Sequence, residues 1–360
     1  MTLRVGILGT AHIASKNRRA IVVAGLRVSA IASRDLAKAA AWADDAVSCG
    51  DLPERPTPFG SYEELLASSD IDAVYVPLPC GLHLHWVLAA AEAGKHILVE
   101  KPAAASVAEL EEMVSACRAA RVVFLDGTMF HHHLRSAVME KVFRDSAVFG
   151  PIGRVSSGFS FCGDNDFLTN NIRTSRALER FGALGDLGQY QIRFGLWVFG
   201  WELPATVRAV AHVVNKEGVP MDVTATFTYD DKRTILIDCA FTLAFRQWAE
   251  VVGTKSHLRL EDFTIPKSHN DGSFVVTRNP DLDASHSNCL GEEQRIDCPA
   301  NQEALMWRAF AAKVQSGEGF CSEWAGWTLK VQACLDAAML SITADGAPIN
   351  VVRPESLSSK

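Results

Sequence analysis

What the 360-residue chain has little of narrows its function first. It has no dense cluster of lysine and arginine, and its net charge is -7. Both argue against nucleic acid and anionic membrane surfaces as main partners. Its nine cysteines, at 49, 80, 117, 162, 239, 289, 298, 321 and 334, are scattered and odd in number. None forms a C-x-x-C or other metal-like spacing, so reduced thiols in a cytoplasmic setting are expected. The N-terminus has no long apolar core followed by a cleavage site, so no signal peptide is expected. The most apolar long stretch, residues 72–94, is broken by Pro77, Pro79, His83 and His85 and is not a membrane span. Internal repeats and low-complexity linkers are also lacking. What remains is ordinary for a soluble globular chain, with 48% hydrophobic and 21% charged residues. The length exceeds one ordinary core, so two domains are expected.

The stretch that organises the rest is Gly94 to Pro102, GKHILVEKP. Gly94 can end the preceding helix in a left-handed cap. His96 to Val99 is long enough for a buried strand. Pro102 stops the ladder because it has no N–H to donate. Glu100 and Lys101 then stand at the carboxyl end of a strand, where open parallel sheets bind ligands. Upstream, Leu3 to Leu8 reads as a strand running into Gly9-Thr10-Ala11-His12-Ile13-Ala14, a variant of G-x-G-x-x-G/A with Ala11 at the second glycine. In a dinucleotide site Gly9 would make the tight turn and the pyrophosphate would sit on the first free N–H groups of the next helix. Arg27 to Ser33 is a second strand, followed by a helix over 35–44. Cys49 to Gly60 reads as a loop, 62–68 as a short helix, and 72–76 as a third buried strand. Helices over 82–93 and 109–120 and a strand over 122–125 complete an alternation that predicts a doubly wound parallel sheet.

Beyond residue 125 the pattern changes. His131-His132-His133 does not converge on either regular structure, so no metal site is expected there; a polar cleft edge or a solvated surface is. Residues 154–161 alternate like a strand, and 163–173 read as a polar loop. Gly182 to Tyr190 carries three glycines into a helix running to about Phe199. Asp186 fits its first turn and Tyr190 shares its face four residues on. A helix cap and a core aromatic are the structural alternatives for these two. Strands are expected over 206–215, 221–229, 234–241, 248–253, 257–260 and 274–277, without intervening helices, which predicts an antiparallel or mixed sheet. Residues 281–293 read as a mobile polar loop, 304–315 and 325–344 as helices, and the tail after Pro354 as frayed.

Taken together, VGILGTAHIA (5–14), ASRD (32–35), DAVYVPLP (72–79), AGKHILVEKP (93–102), GALGDLGQY (182–190) and LKVQACLDAAMLSI (329–342) stand in the order of one family. The chain resembles the Gfo/Idh/MocA oxidoreductases over nearly its full length. DGTMF (126–130), NNIR (170–173) and a tyrosine in place of the more usual histidine resemble the dihydrodiol dehydrogenase and D-xylose dehydrogenase branch. The resemblance implies an α/β chain: an N-terminal Rossmann domain, residues 1–125, and a C-terminal α+β domain, residues 126–360, with a large, mostly antiparallel sheet. The latter would bind substrate and build the oligomer, with the nicotinamide held in the cleft between the two.

Lys101, Asp186 and Tyr190 fall on the family's catalytic positions. Cofactor contacts are implied at Gly9, Thr10, Ala11, His12, Ile13, Ser33, Arg34, Lys38, Pro77, Leu78, His83, Glu100 and Lys101. Tyr190 would move the hydroxyl proton, with Lys101 lowering a phenol that otherwise titrates near ~10. Asp186 would orient Lys101 or the substrate. Arg173 and Arg193 could hold substrate oxygens or serve the fold. Cys80 stands where relatives often have asparagine, Gln189 where the branch often has a bulky apolar residue, and Leu134 where it often has proline.

The second strand ends in Ser33-Arg34, without the acidic residue an NAD site usually carries. Arg34 can grip a 2′-phosphate, with Lys38 adding charge and Asp35 capping the helix, so NADP is expected over NAD. The expected function is therefore NADP-dependent hydride transfer to or from a sugar or cyclic diol. The alternatives within the family are a dinucleotide-binding sensor without turnover and a hydrolase that retains its dinucleotide. A broad sheet face left open by the helices implies a homodimer.

Overall fold

A computed structural model of the chain describes residues 2–268, 271–279 and 291–357. The first elements alternate as the sequence predicts: β1 (Arg4–Leu8), α1 (His12–Val23), β2 (Arg27–Ala32), α2 (Leu36–Ser48), β3 (Thr57–Phe59), α3 (Tyr62–Ala67), β4 (Ala73–Val76), α4 (His83–Glu92), β5 (His96–Val99), α5 (Val107–Ala119) and β6 (Phe124–Asp126). The six strands form one sheet in the order β3-β2-β1-β4-β5-β6, every pair parallel. Helices lie on both of its faces, so β4 is wholly apolar and all four of its residues are 0% exposed. Gly94 adopts φ +67° and ends α4. Ser106 opens α5 by accepting from Glu109 N–H at 3.2 Å, while the Glu109 carboxylate accepts from Ala105 N–H, two orphan donors satisfied reciprocally. The expected loop over 49–60 contains β3. Its three residues pair with β2 and complete the sheet edge, a strand too short to show a period.

The second half runs through α6 (Leu134–Arg144), β7 (Ile152–Cys162), α7 (Asn165–Asn170), α8 (Gln189–Val198), β8 (Thr206–Val214), β9 (Pro220–Thr228), β10 (Thr234–Ala240), β11 (Thr242–Gly253), β12 (Ser256–Leu260), β13 (Asp271–Arg278), β14 (Glu292–Asp297), α9 (Gln302–Gln315), α10 (Ser322–Thr343) and β15 (Ile349–Asn350). Nine strands form a second sheet, ordered β14-β13-β12-β11-β7-β10-β9-β8-β15, antiparallel except between β7 and β10. Its register sorts the side chains in rows. Val207, Phe227, Ile235, Val155, Val251, Leu258 and Val276 lie across seven neighbouring strands and all are buried. The adjacent row, Arg208, Thr226, Leu236, Ser156, Glu250, Arg259 and Val275, is half-buried or exposed throughout. The period of two thus puts one face against α8 and leaves the other open. At Gly195 of α8 a Cβ would stand 2.6 Å from Ile235, so only glycine lets the helix lie this close.

The polar loop expected over 163–173 is instead helical. Asp164 caps α7 by accepting from Phe167 N–H at 2.8 Å, and a 3-10 turn follows at Ile172–Thr174. Helix α6 and strands β14 and β15 had no clear period in the sequence. The loop expected over 281–293 lies outside the described residues up to 290, and its last two residues open β14. The tail carries a 3-10 turn at Glu355–Leu357; its final three residues lie outside the described ones.

The chain divides into two compact units, Met1–His132 with Ala300–Leu329, and His133–Pro299 with Lys330–Lys360. This differs from a single boundary at 125. Helix α9 returns to the first unit because Trp307, Phe310, Met306 and Ala304 join the buried cluster of Val5, Ile7, Tyr75, Leu98 and Leu125.

Candidate active site

In the first unit the carboxyl ends of β1, β2, β4 and β5 gather most of the expected cofactor residues. Gly9 has φ +106°, and its N–H donates to the Ala32 carbonyl at 2.9 Å. A Cβ there would stand 3.1 Å from the Leu78 side chain and 3.3 Å from the Tyr62 hydroxyl, so the turn is glycine by conformation and by space. Ala11 precedes α1 without a side-chain cap, and the first turn holds no acidic residue. The amides at Ala11, His12 and Ile13 therefore begin a twelve-residue helix that presents free N–H groups and a positive dipole end, which suits a pyrophosphate.

At the end of β2, Asp35 is spent as the cap of α2, accepting from Ala37 N–H at 2.9 Å and Lys38 N–H at 3.4 Å. Ser33 Oγ accepts from Asp35 N–H, and Arg34 and Lys38 are exposed. The corner thus carries a hydroxyl and two free-standing cations with its one carboxylate tied to the helix, a set that fits a phosphate ester on the adenosine ribose. Tyr62 joins this corner: burial pushes its phenol up, and Arg34 acts against that. Sequence reading missed Tyr62 because four elements separate it from Gly9 in the chain; the signal was an aromatic opening a helix after Gly60-Ser61.

Two expected cofactor contacts give way to internal roles. His83 is 1% exposed, and its ring nitrogens lie 2.7 Å from the Leu78 carbonyl and 3.1 Å from the Ala103 carbonyl. It braces the loops after β4 and β5 from inside. The Glu100 carboxylate also turns inward: Tyr75 donates to Oε1 at 2.5 Å, and Lys101 N–H donates to Oε2 at 3.1 Å. A Cβ on Gly127 would stand 3.1 Å from that carboxylate, so Glu100 lies flat over a glycine. Lys101 follows, half-buried, at the strand end, and Cys80 is buried in the 3-10 turn after Pro79.

In the second unit Arg173, Asp186 and Tyr190 come together. Arg173 Nε lies 3.0 Å from Asp186 Oδ1, and this carboxylate first, with Tyr190 among the lesser causes, pushes the Arg173 guanidinium up. Asp186 is not a helix cap: it sits within a π turn, Leu184–Gly188, continuous with α8. Such turns recur at functional sites because they re-aim one side chain. Tyr190 and Gln189 are buried on α8, with the Tyr190 ring 6.1 Å from that of Phe159. Arg193 is 1% exposed, with its guanidinium 5.6 Å from the Trp201 ring, a placement that suits the fold-serving alternative of its two expected roles.

The three histidines part company, and the expectation of a polar edge or solvated surface fails for His133. The His131 ring lies 5.0 Å from Trp327, and the His132 ring 6.4 Å from Trp324. His133 is 2% exposed in the other unit, where Nδ1 accepts from Arg135 N–H and caps α6. Among the described residues no group of three or more His, Cys, Asp or Glu stands in metal-binding geometry, and no helix is long and apolar enough to cross a membrane.

Comparison with known proteins bears on both units. Residues 3–128 match the oxidoreductase family with an NAD-binding Rossmann fold, and residues 141–259 match the GFO/IDH/MocA C-terminal domain. An uncharacterised oxidoreductase of Rhizobium meliloti is 32% identical over 333 residues, 91% of this chain and 94% of that protein. The D-xylose 1-dehydrogenase (NADP(+)) 2 of Haloferax volcanii is 34% identical over 255 residues, 70% of this chain and 74% of that one. Among solved structures, a 3-ketoreductase of Actinomadura kijaniata in complex with NADP and TDP-benzene is similar at TM-score 0.79 and 26% identity, covering 95% of this chain and 98% of that one.

The two buried imidazoles make stability depend on pH. Burial pushes His83 down to about 4 from 6.5, and burial first, then Arg135, pushes His133 down to about 4. Each folded ring stays neutral where the unfolded ring takes a proton. Stability is fully present above 6.5 and is lost as pH falls toward 4, by on the order of a few kcal/mol. Urea midpoints measured across that window should fall, and His83→Gln should flatten the curve. A wild-type midpoint unchanged from pH 7 to pH 4.5 would contradict this.

Proposed function

The chain belongs to the Gfo/Idh/MocA oxidoreductase family, and from that membership we propose an NADP-dependent enzyme that moves a hydride between the nicotinamide and a hydroxyl or carbonyl carbon of a sugar or cyclic diol. The carrying observation is that Arg173, on the 3-10 turn at Ile172–Thr174, pairs with Asp186 on the π turn and interacts electrostatically with Tyr190 at the start of α8. The bound dinucleotide supplies the hydride chemistry. The protein's residues bind, orient and move a proton. Gly9 and the N-terminus of α1 receive the pyrophosphate, and Ser33, Arg34 and Lys38 receive the 2′-phosphate. Tyr190 takes the hydroxyl proton during oxidation and returns it during reduction. Lys101 favours the ionised phenol by its charge. Asp186, held by Arg173, fixes the polar side of the site. NADP and a sugar fit this reading because the relatives include a D-xylose 1-dehydrogenase (NADP(+)) and a 3-ketoreductase in complex with NADP.

The test is absorbance at the reduced-nicotinamide band with NADP and a panel of D-xylose, other aldoses and a cyclic trans-diol. Tyr190→Phe should lower kcat by about 10²–10⁴-fold while NADP affinity stays near wild type. Wild-type turnover in that variant would remove Tyr190 from the mechanism. Tight dinucleotide binding with no turnover on any substrate would favour the sensor.

Arg34 separates the two dinucleotides. A charge-assisted bond to a phosphate is worth about 1.5–3 kcal/mol, so NADP should be preferred by more than about tenfold. Titration of Arg34→Ala should show weakened NADP and nearly unchanged NAD. Better use of NAD than NADP by the wild type would overturn this assignment.

The open row of the nine-stranded sheet, with Leu236 at its centre and Trp248 stacked under Arg259 at 5.0 Å, supports a homodimer through that face. Light scattering at micromolar concentration should report two chains; the mass of one 39.1 kDa chain would contradict it.

A further inference from the structure

A buried hydrogen-bond chain crosses the first unit and ends at the residue before Lys101. Trp307 Nε1 donates to Asn17 Oδ1 at 3.0 Å, and Asn17 Nδ2 donates to the Tyr75 hydroxyl at 2.9 Å. The Tyr75 hydroxyl then donates to Glu100 Oε1 at 2.5 Å, and Glu100 Oε2 takes the Lys101 N–H at 3.1 Å. Trp307 and Tyr75 are 0% exposed and Asn17 is 2% exposed. An indole only donates and a carboxylate only accepts, so the two ends fix the sense of every bond between them. Asn17 must point its oxygen at Trp307 and its amide hydrogens at Tyr75, and Tyr75 must give its proton to Glu100. The second Asn17 amide hydrogen reaches the Ile13 carbonyl at 3.3 Å, in the first turn of α1. One amide therefore grips both the helix that opens on the dinucleotide turn and the strand end that carries Lys101.

We propose that Asn17 and Tyr75, oriented by Trp307, are positioning residues for Lys101. They hold the Glu100 carboxylate against the Lys101 main chain and tie that strand end to the first turn of α1. The proposal rests on the reading of Lys101 as part of the catalytic machinery. Without the Tyr75 proton, Glu100 Oε1 loses that hydrogen bond and the carboxylate is held less firmly against the Lys101 main chain. An ammonium displaced by a fraction of an ångström still allows binding but assists the phenol less. The defect belongs in turnover rather than in affinity.

The experiment is steady-state kinetics of the full chain across pH, with NADP and the panel sugar that the wild type oxidises fastest. Active sites are counted by NADPH titration, so that misfolded protein does not enter kcat. Tyr75→Phe keeps the ring and removes the proton. Its kcat should fall by about 10- to 100-fold, with KM for NADP and sugar moving less than about threefold. The pH limb that reports the phenol should shift, which a loss of packing alone would not cause. Trp307→Phe keeps an aromatic ring near Tyr75, whose ring lies 5.6 Å away, and removes the donor along with part of the buried ring volume. It should shift kcat and the pH limb in the same direction by less, and it decides the matter if Tyr75→Phe does not fold. Wild-type kcat per active site with an unmoved pH profile in the deciding variant overturns the relay. Lys101→Met separates the two readings: an inactive Lys101→Met beside an unaffected Tyr75→Phe removes the relay alone, whereas wild-type turnover in Lys101→Met removes the catalytic reading on which it stands.

Discussion

A parallel sheet has to be covered on both faces, because its strands are apolar on both. Here β4 and the last three residues of β5 are 0% exposed. The N-terminal alternation of strands and helices does not finish that cover by itself. The chain leaves, builds a second unit, and returns with α9 to lay Trp307 and Phe310 against the sheet. A buried indole needs an acceptor for its N–H. Asn17 supplies it, and that single requirement explains why an asparagine is tolerated at 2% exposure inside α1. Closing the core and orienting its polar groups are one event.

The same logic sorts the carboxyl ends of the strands. Each polar group there is either matched within the protein or left out and unmatched. Glu100 is turned in, on a tyrosine and a main-chain N–H; His83 is turned in between two carbonyls, to one of which the neutral ring donates; Asp35, though exposed, is tied to helix amides. Arg34 and Lys38 are left exposed. The result is an edge whose carboxylates Asp35 and Glu100 are hydrogen-bonded to the protein, while the cations Arg34 and Lys38 stand exposed. An anion arriving there meets no unanchored carboxylate to repel it, and a preformed turn at Gly9 leaves it the backbone amides.

The order and type of most elements were legible in the sequence because buried parallel strands and amphipathic helices announce themselves by period. The strand end at Ser33-Arg34 and the cap at Asp35 were legible for the same local reason. What was not legible depended on distant partners. No window around residue 307 reveals which of two cores α9 covers, so the division of the chain was drawn too simply. Glu100 lies in the GKHILVEKP stretch, yet its carboxylate takes the Tyr75 hydroxyl, and His83 faces the Ala103 carbonyl, both partners distant in sequence. Asp186 looked like a cap because Gly185 precedes it. The helix in fact begins earlier, and the π turn that carries Asp186 leaves no period to read. Strands β3 and β15 were too short, and β14 too polar, to be seen.

Arg173 and Asp186 set the last constraint. Their polar atoms lie 3.0 Å apart, and the Asp186 side chain is only 15% exposed. The Arg173 side chain is 40% exposed, so solvent screens the pair from that side. A guanidinium carries five N–H donors, so Arg173 can keep Asp186 on Nε and still offer the others, while its charge also acts on Tyr190. What this unit presents is thus a charge pair with a buried phenol within its electrostatic reach.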